Sequence, residues 1–528
     1  MLEMTELLTC DVLIIGCGIA GATAALELAR DPSLRIIVVT KAEDPHDTNT
    51  WHAQGGIIYK GDEDSPDKLA ADLIRAGDDM NNRRAVRILA EDGPRLVREL
   101  LIEKYKVPFT LDADCNLEFT REAAHSVSRI LHANDATGRA IQEQLVKALH
   151  THDNIHLLTD HTAVDLLTPA HHSLDRLANY EPLSCVGAYV YDQHALCVRR
   201  VLAKTTVLAT GGLGQIFLYT SNPSGATGDG LAMADRAGAR IINAEYVQFH
   251  PTTFYHQGQA RFLVSEALRG EGARLLNSRG ERFMERYAPE WKELAPRDVV
   301  ARSIHLEMLR TGSPCVYLDI ASVMPAARIA ERFPTIRGYC QEYDVDPAHE
   351  PIPVVPAAHY FCGGIWVDEW GITNMERLYA IGEVSCTGVH GANRLGSASL
   401  LEGLVWGDRA AQDIRRRLPD LSVYPQDKIP PWRETGVTDE ADPVLVENDM
   451  LTIRHTMWYY VGLVRSQKRL GRALGDLSVL QQDIDKFYRT SRMNERVISL
   501  RNAVLAATIV ARSAWANPES HGCHFRED

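Results

Sequence analysis

No Lys or Arg precedes Arg30, so the start of the chain has neither the basic n-region of a signal peptide nor a twin-arginine signal. No apolar run approaches the ~18–20 residues that span a bilayer, and no membrane segment is expected. The ten cysteines are scattered, with no CxxC pair and no metal-ligand spacing. That is too few for a disulfide scaffold and predicts reduced thiols in a cytoplasmic protein without a bound metal. Positive charge is in deficit: 56 Lys and Arg against 70 Asp and Glu leave a net charge of −14, which argues against binding nucleic acid. The basic run Arg415-Arg416-Arg417 reads as a solvated helix end. Internal repeats and low-complexity tracts are also missing. What remains is ordinary globular composition, 45% hydrophobic and 24% charged, with length for roughly two to four domains.

Within that composition two distant stretches look like halves of one cofactor site. The first, DVLIIGCGIAG at residues 11–21, is a strand, a Gly-rich turn and a helix start. Gly16, Gly18 and Gly21 fit G-x-G-x-x-G: a tight turn, close approach of backbone to a phosphate, and close packing of helix on strand. The second, LYAIGEVSCTGVHGANRLGSASLLEG at residues 378–403, reads as a strand ending in Gly382-Glu383, then a loop and a helix start. If both touch one dinucleotide, the chain between them leaves the cofactor domain and returns. The segment 243–358 is richer in Pro and Arg and reads as an inserted cap. A Pro-rich, acidic linker follows Arg417. In the tail, Leu463, Leu470, Leu474 and Leu477, then Val497, Leu500 and Val504, show helical spacing and predict a small bundle.

The nature of the dinucleotide turns on what surrounds the glycines. The acidic residue expected about 20 residues on is missing; the second strand ends in Thr40-Lys41, which can still bond adenosine or ribose oxygens. Thr210-Gly211-Gly212 closes another strand. Glu383 can accept bonds from sugar or ribityl hydroxyls, and Ala53-Gln54-Gly55-Gly56 is a small-residue loop through which amides can reach a flavin ring. These features favour FAD over a nicotinamide cofactor. The excursion carries His250, Arg297 and His359, and the returning loop carries Arg394, a set suited to a small dianion held against a flavin.

With GCGIAG, AQGGI, TREAAHS, ILHANDATGRA, ATGG, QFHPT, SEALRGEGA, LAPRD, PAAHYFCGG, YAIGEVSCTGVHGANR and SLLEGLV in one order, the chain resembles the succinate dehydrogenase/fumarate reductase flavoprotein family nearly end to end. The resemblance implies an α/β fold: a Rossmann-like FAD-binding domain from residues 1–242 and 359–420, an inserted α+β capping domain at 243–358, and a C-terminal helical domain at 430–528. Further FAD contacts are expected at Ile19, Ala20, Asn49, Thr50, Asp229, Ser399 and Leu400. His250, Ser265, Glu266, His359 and Arg394 are expected to bind substrate, and Arg297 to lie near the reacting carbons. Relatives usually carry Thr where this chain has Ser265.

Two positions separate this chain from dicarboxylate dehydrogenases, and two more depart from relatives in general. Glu122 stands where they have Gln, and a carboxylate there can hold an α-ammonium group or take its proton. Asn49 stands where a His carries covalent flavin in subunits of membrane complexes, and His46 and His52 are out of register, so FAD is expected to be non-covalent. Ala398 replaces a usual Asn, and Phe361 a small polar residue. The resemblance then implies FAD-dependent oxidation of L-aspartate to iminosuccinate, with O₂ (giving H₂O₂) or fumarate as acceptor. The product would feed quinolinate synthase in NAD biosynthesis. A soluble fumarate reductase or succinate dehydrogenase-type flavoprotein, a non-enzymatic FAD module and a subunit dependent on an iron–sulfur partner are the rival readings.

Overall fold

Val12, Leu13 and Ile14 are fully buried because the strand Leu7–Ile15 is central in a seven-stranded sheet. It pairs in parallel with Ile36–Val39 on one side and Cys197–Leu208 on the other. A strand covered on both faces reads as an unbroken apolar run, as VLII does here. The structure, a computed structural model, describes residues 7–528 apart from 123, 258, 434, 435 and 438 and the side chains of 259–261. The start of the first expected domain, residues 1–6, lies outside the described residues.

Cys197–Leu208 is the hub of the sheet. Its first half pairs antiparallel with Gly187–Asp192, and its last three residues pair in parallel with Leu378–Ala380. The strand that returns late in the chain thus lies against Leu208, which itself lies against Ile15. Three loops leave from adjacent carboxyl ends: residues 16–18, 210–212 and 382–383. Ligands of open parallel sheets bind outside such ends. The turn at Gly16 demands glycine twice over. Its φ is +107°, and a Cβ there would lie 2.1 Å from the Ala209 carbonyl oxygen. A Cβ on Gly21 would lie 2.0 Å from the Gly16 carbonyl oxygen, so the helix Ile19–Leu28, buried along its whole length, can sit directly on the turn.

The excursion builds a second sheet of five strands: Gln259–Leu263, Val247–His256, Ile352–Phe361, Val316–Asp319 and Arg274–Leu276, in that spatial order. An apolar cluster of its own, drawn from Phe254 to Val354, includes Val300 and Ile304 of the helix Arg297–Thr311. Ile352–Phe361 runs through the boundary expected at 358–359, so His359 sits inside a strand. That strand pairs antiparallel with Val247–His256, the strand of His250.

Three helices close the chain: Pro443–Tyr460, Gln467–Thr490 and Glu495–Ala516. Leu470 and Leu477 are fully buried and Leu474 is partly so, but Leu463 lies before the helix rather than on it. The Ser466 hydroxyl caps the helix by accepting from the Arg469 N–H (3.4 Å), which ends the expected leucine stripe there. Val497, Leu500 and Val504 are buried as predicted. Among the described residues, Glu495–Ala516 alone is long and apolar enough to cross a membrane. Its apolar window is 78% buried inside the protein, as a core helix's is. All ten cysteines are free.

Candidate active site

A single cavity of about 540 Å³ runs from the carboxyl ends of the parallel strands to the five-stranded sheet. Every residue expected in the site lines it except Gly21, which packs behind the turn. At one end stand Thr40, Lys41, Gln193 and Asp229; at the other, Glu122, His250, Ser265, Glu266, Arg297, His359 and Arg394.

The long arm fits a flavin dinucleotide. The helix Ile19–Leu28 begins at Gly18 with no side-chain cap, and its first N–H donates to the Thr50 hydroxyl at 3.0 Å. Its positive end therefore faces the cavity beside residues whose backbone comes close. Asn49 Oδ1, Gln54 Oε1 and Thr210 Oγ1 are buried along the cavity without a protein partner, as groups awaiting a polar ligand are. Asn49 Nδ2 donates to Glu383 Oε2 (2.6 Å), and the Phe361 N–H donates to Oε1 (3.0 Å). Asn49 thus orients the flavin-side carboxylate and offers no imidazole for covalent attachment. Lys41 donates to Asp229 Oδ2 at 2.7 Å, so these two expected FAD contacts are first of all partners of each other. Ala398, where relatives usually have Asn, is fully buried, and Phe361 belongs to the apolar core.

Burial pushes the Glu383 carboxyl up to about 7, against the two hydrogen bonds that favour its charge. The folded apoprotein therefore holds a proton that the unfolded chain releases near pH 4.5. Stability from this group is complete at low pH and declines as pH rises from about 5 to about 7, by up to about 3 kcal/mol. Melting temperatures of the apoprotein across that range should show the decline, and Glu383→Gln should flatten it. An unchanged slope in the variant would remove Glu383 as its source.

At the short end, Arg297 is the first residue of the helix Arg297–Thr311. Its Nε donates to Glu266 Oε2 at 2.6 Å, and its buried Nη1 has no partner. Burial works against the charge of Arg297, but Glu266 and Glu122 outweigh it and raise the pKa. Arg269 approaches the other oxygen of Glu266 at 3.4 Å. Arg394 is buried over the Tyr360 ring at 4.7 Å, with Nε donating to Gln248 Oε1 (3.2 Å) and Nη1 to Ser399 Oγ (2.9 Å). Beneath it, Tyr360 donates to Glu402 (2.8 Å), which also meets His390 Nε2 at 3.0 Å.

His250 and His359 come from the paired strands, their rings 5.2 Å apart. Burial first, and then neighbouring guanidiniums, lower both pKa values well below the usual imidazole range, so both rings are neutral. His250 Nδ1 lies 3.2 Å from both the N–H and the carbonyl oxygen of Thr252, which holds the ring with Nε2 away from this contact. His359 Nδ1 pairs with the Ser221 hydroxyl at 2.7 Å.

Glu122 lies between the arms. Burial raises its pKa, Arg297 opposes this, and Oε2 is buried without a partner. Gly55 and Gly396 clear its path, since a Cβ on either would fall 2.5 or 2.4 Å from its carboxylate oxygens. The neighbours Arg121 and His125 do not neutralise it: Arg121 Nε donates to the His125 carbonyl, and His125 Nε2 meets the Gly396 carbonyl oxygen. The loop is anchored by a fully buried Arg129 paired with Asp64 and Asp72 at 2.9 and 2.8 Å. Three guanidiniums against Glu266 and a carboxyl lifted toward neutrality leave this end net positive, as a bound dianion requires.

Sequence reading missed Gln248, Ser221, Tyr360 and Ser397. Ser397 sits at φ +58° and starts the helix Ala398–Arg417, its carbonyl accepting from Ile58 N–H at 3.3 Å. The one available signal was the Gly-rich loop around it; the others act on residues distant in sequence.

Residues 11–400 match the FAD binding domain family, and residues 450–528 match the fumarate reductase flavoprotein C-terminal family. Among curated proteins, the chain is 46% identical over 521 residues to L-aspartate oxidase 1 of Ralstonia nicotianae, covering 98% of this chain and 95% of that one. It is 40% identical over 539 residues to the chloroplastic L-aspartate oxidase of Oryza sativa, covering 98% and 81%. Among solved structures, a chain of E. coli quinol fumarate reductase is similar at a TM-score of 0.89 and 27% identity, over 99% of this chain and 92% of that one.

Proposed function

The chain belongs to the L-aspartate oxidase family of FAD-dependent oxidoreductases, and we propose that it converts L-aspartate to iminosuccinate at the head of NAD biosynthesis. The observation that carries the reading is Glu122: a buried carboxylate oxygen without a partner, set in a pocket that is otherwise cationic. A dicarboxylate lacking an amine gives that oxygen nothing to bind. An α-ammonium group satisfies it.

In this reading Arg394 takes one substrate carboxylate in a forked contact, with the His250 and His359 N–H groups and the Ser265 hydroxyl as neutral donors. Arg297, braced by Glu266, faces the second carboxylate and orients the substrate. Glu122 accepts the ammonium proton and so favours the neutral amine, from which Cα hydride departure is easiest. When bound, FAD supplies the two-electron chemistry, taking the hydride and passing electrons to O₂, which yields H₂O₂, or to fumarate. Closure of the pocket by the inserted sheet excludes water and fixes the approach of the reacting carbon. The imine is short-lived in water, which favours immediate use by quinolinate synthase in the cytoplasm.

The test is anaerobic mixing of FAD-loaded protein with L-aspartate and, in parallel, with succinate. Bleaching of the flavin by aspartate, with colour and peroxide returning in air, is expected. Bleaching by succinate alone would move the chain to the dicarboxylate dehydrogenases, and bleaching by neither would leave a flavin-binding module.

A further inference from the structure

The adenosine end of the cavity has a donor where dinucleotide folds place an acceptor. A ribose diol is ordinarily held by a carboxylate at the end of the second strand. Here that place belongs to Thr40-Lys41, and an ammonium group can only donate. Asp229 is already engaged by three protein donors. Its Oδ2 accepts from Lys41 (2.7 Å), and its Oδ1 accepts from Asn502 Nδ2 (2.9 Å) and Thr227 Oγ1 (3.1 Å), leaving the side chain 11% exposed. Asp160, another carboxylate on the wall, is paired with His194 at 3.0 Å.

Glu43, which is exposed, and Asp160 also line the wall; Glu495 is the carboxylate that keeps a free oxygen beside Lys41. Glu495 opens the helix Glu495–Ala516 of the C-terminal bundle and lines the cavity. Its Oε1 accepts from Ser499 Oγ (2.7 Å) and lies 3.8 Å from Lys41 Nζ. Its Oε2 has no partner among the described residues, and the side chain is 32% exposed, three times as open as Asp229. The Ser499 hydrogen bond and the Lys41 contact hold the carboxylate in place, and a helix start suits a negative group.

Resting on the FAD reading above, we infer that Glu495 accepts the hydrogen bonds of the adenosine ribose hydroxyls. The C-terminal bundle thereby completes a cofactor site built otherwise by the parallel sheet. The same contact ties FAD occupancy to the docking of the last helix, because Ser499 and Asn502 of that helix hold the Lys41–Asp229 pair.

The experiment is calorimetric titration of apoprotein with FAD, ADP and FMN, in wild type, Glu495→Ala and Glu495→Gln. Removing a charged acceptor should weaken FAD and ADP by the same factor, about tenfold in Glu495→Ala. FMN, which lacks adenosine, should bind all three proteins alike. Glu495→Gln keeps the side-chain shape and should show the same pattern to a smaller extent, which separates a lost contact from a disturbed fold. ADP binding the variants as tightly as wild type overturns the inference, as does an equal loss for FMN. Wild type that binds neither FAD nor ADP would overturn the FAD reading itself, and this inference with it.

Discussion

Arg394→Leu is expected to slow flavin reduction by L-aspartate a hundred- to thousandfold in the ratio of rate to dissociation constant. That is the consequence of losing about 3–4 kcal/mol when one member of a buried charged contact is cut away. The size follows from how the guanidinium is held. Gln248, Ser399 and the Tyr360 ring fix it before substrate arrives, and its burial keeps water from taking over its role. Leucine would also strand Gln248 Oε1 without its donor. Lysine should recover only part of the loss, since a point charge cannot reproduce the fork. Stopped-flow absorbance of the flavin under anaerobic conditions reads the effect directly. Reduction at the wild-type rate would take Arg394 out of the site.

The second large effect divides two chemistries that one pocket could serve. Glu122→Gln should lower the rate of reduction by L-aspartate by about a hundredfold, the scale on which a positioned proton acceptor acts. Fumarate reduction by the chemically reduced enzyme should change little, because fumarate has no amine to hold. The pH profile carries the same information. Burial raises the Glu122 pKa, so its accepting form is lost as pH falls, and aspartate oxidation should decline toward acid pH more steeply in wild type than in the variant. Equal loss with both substrates would make Glu122 a structural residue.

Much of the site was legible because its signals are local. The steric demand at Gly16 and Gly21 comes from neighbours within a few residues and from the strand that must lie beside them, and a G-x-G-x-x-G pattern after an apolar strand encodes it. The missing acid at Thr40-Lys41 was equally plain. The stripe through Leu470 and Leu477 was read correctly as a helix face, whereas Leu463 was misplaced because periodicity does not register the cap at Ser466.

By itself the sequence determined the cofactor loop, the apolar central strands, the cationic and carboxylate residue types of the site and the excursion that separates the two halves of the cofactor region. All of these depend on neighbours in the chain or on the chemistry of single side chains. Only the tertiary structure decided which residues act together. Packing brought the strands of His250 and His359 side by side, placed Gln248 behind Arg394, paired Lys41 with Asp229, and turned Glu495 of the last helix toward the adenosine end. Those partnerships join positions more than a hundred residues apart. Their geometry is set when sheets and helices bury their apolar faces against one another, and no local pattern records it.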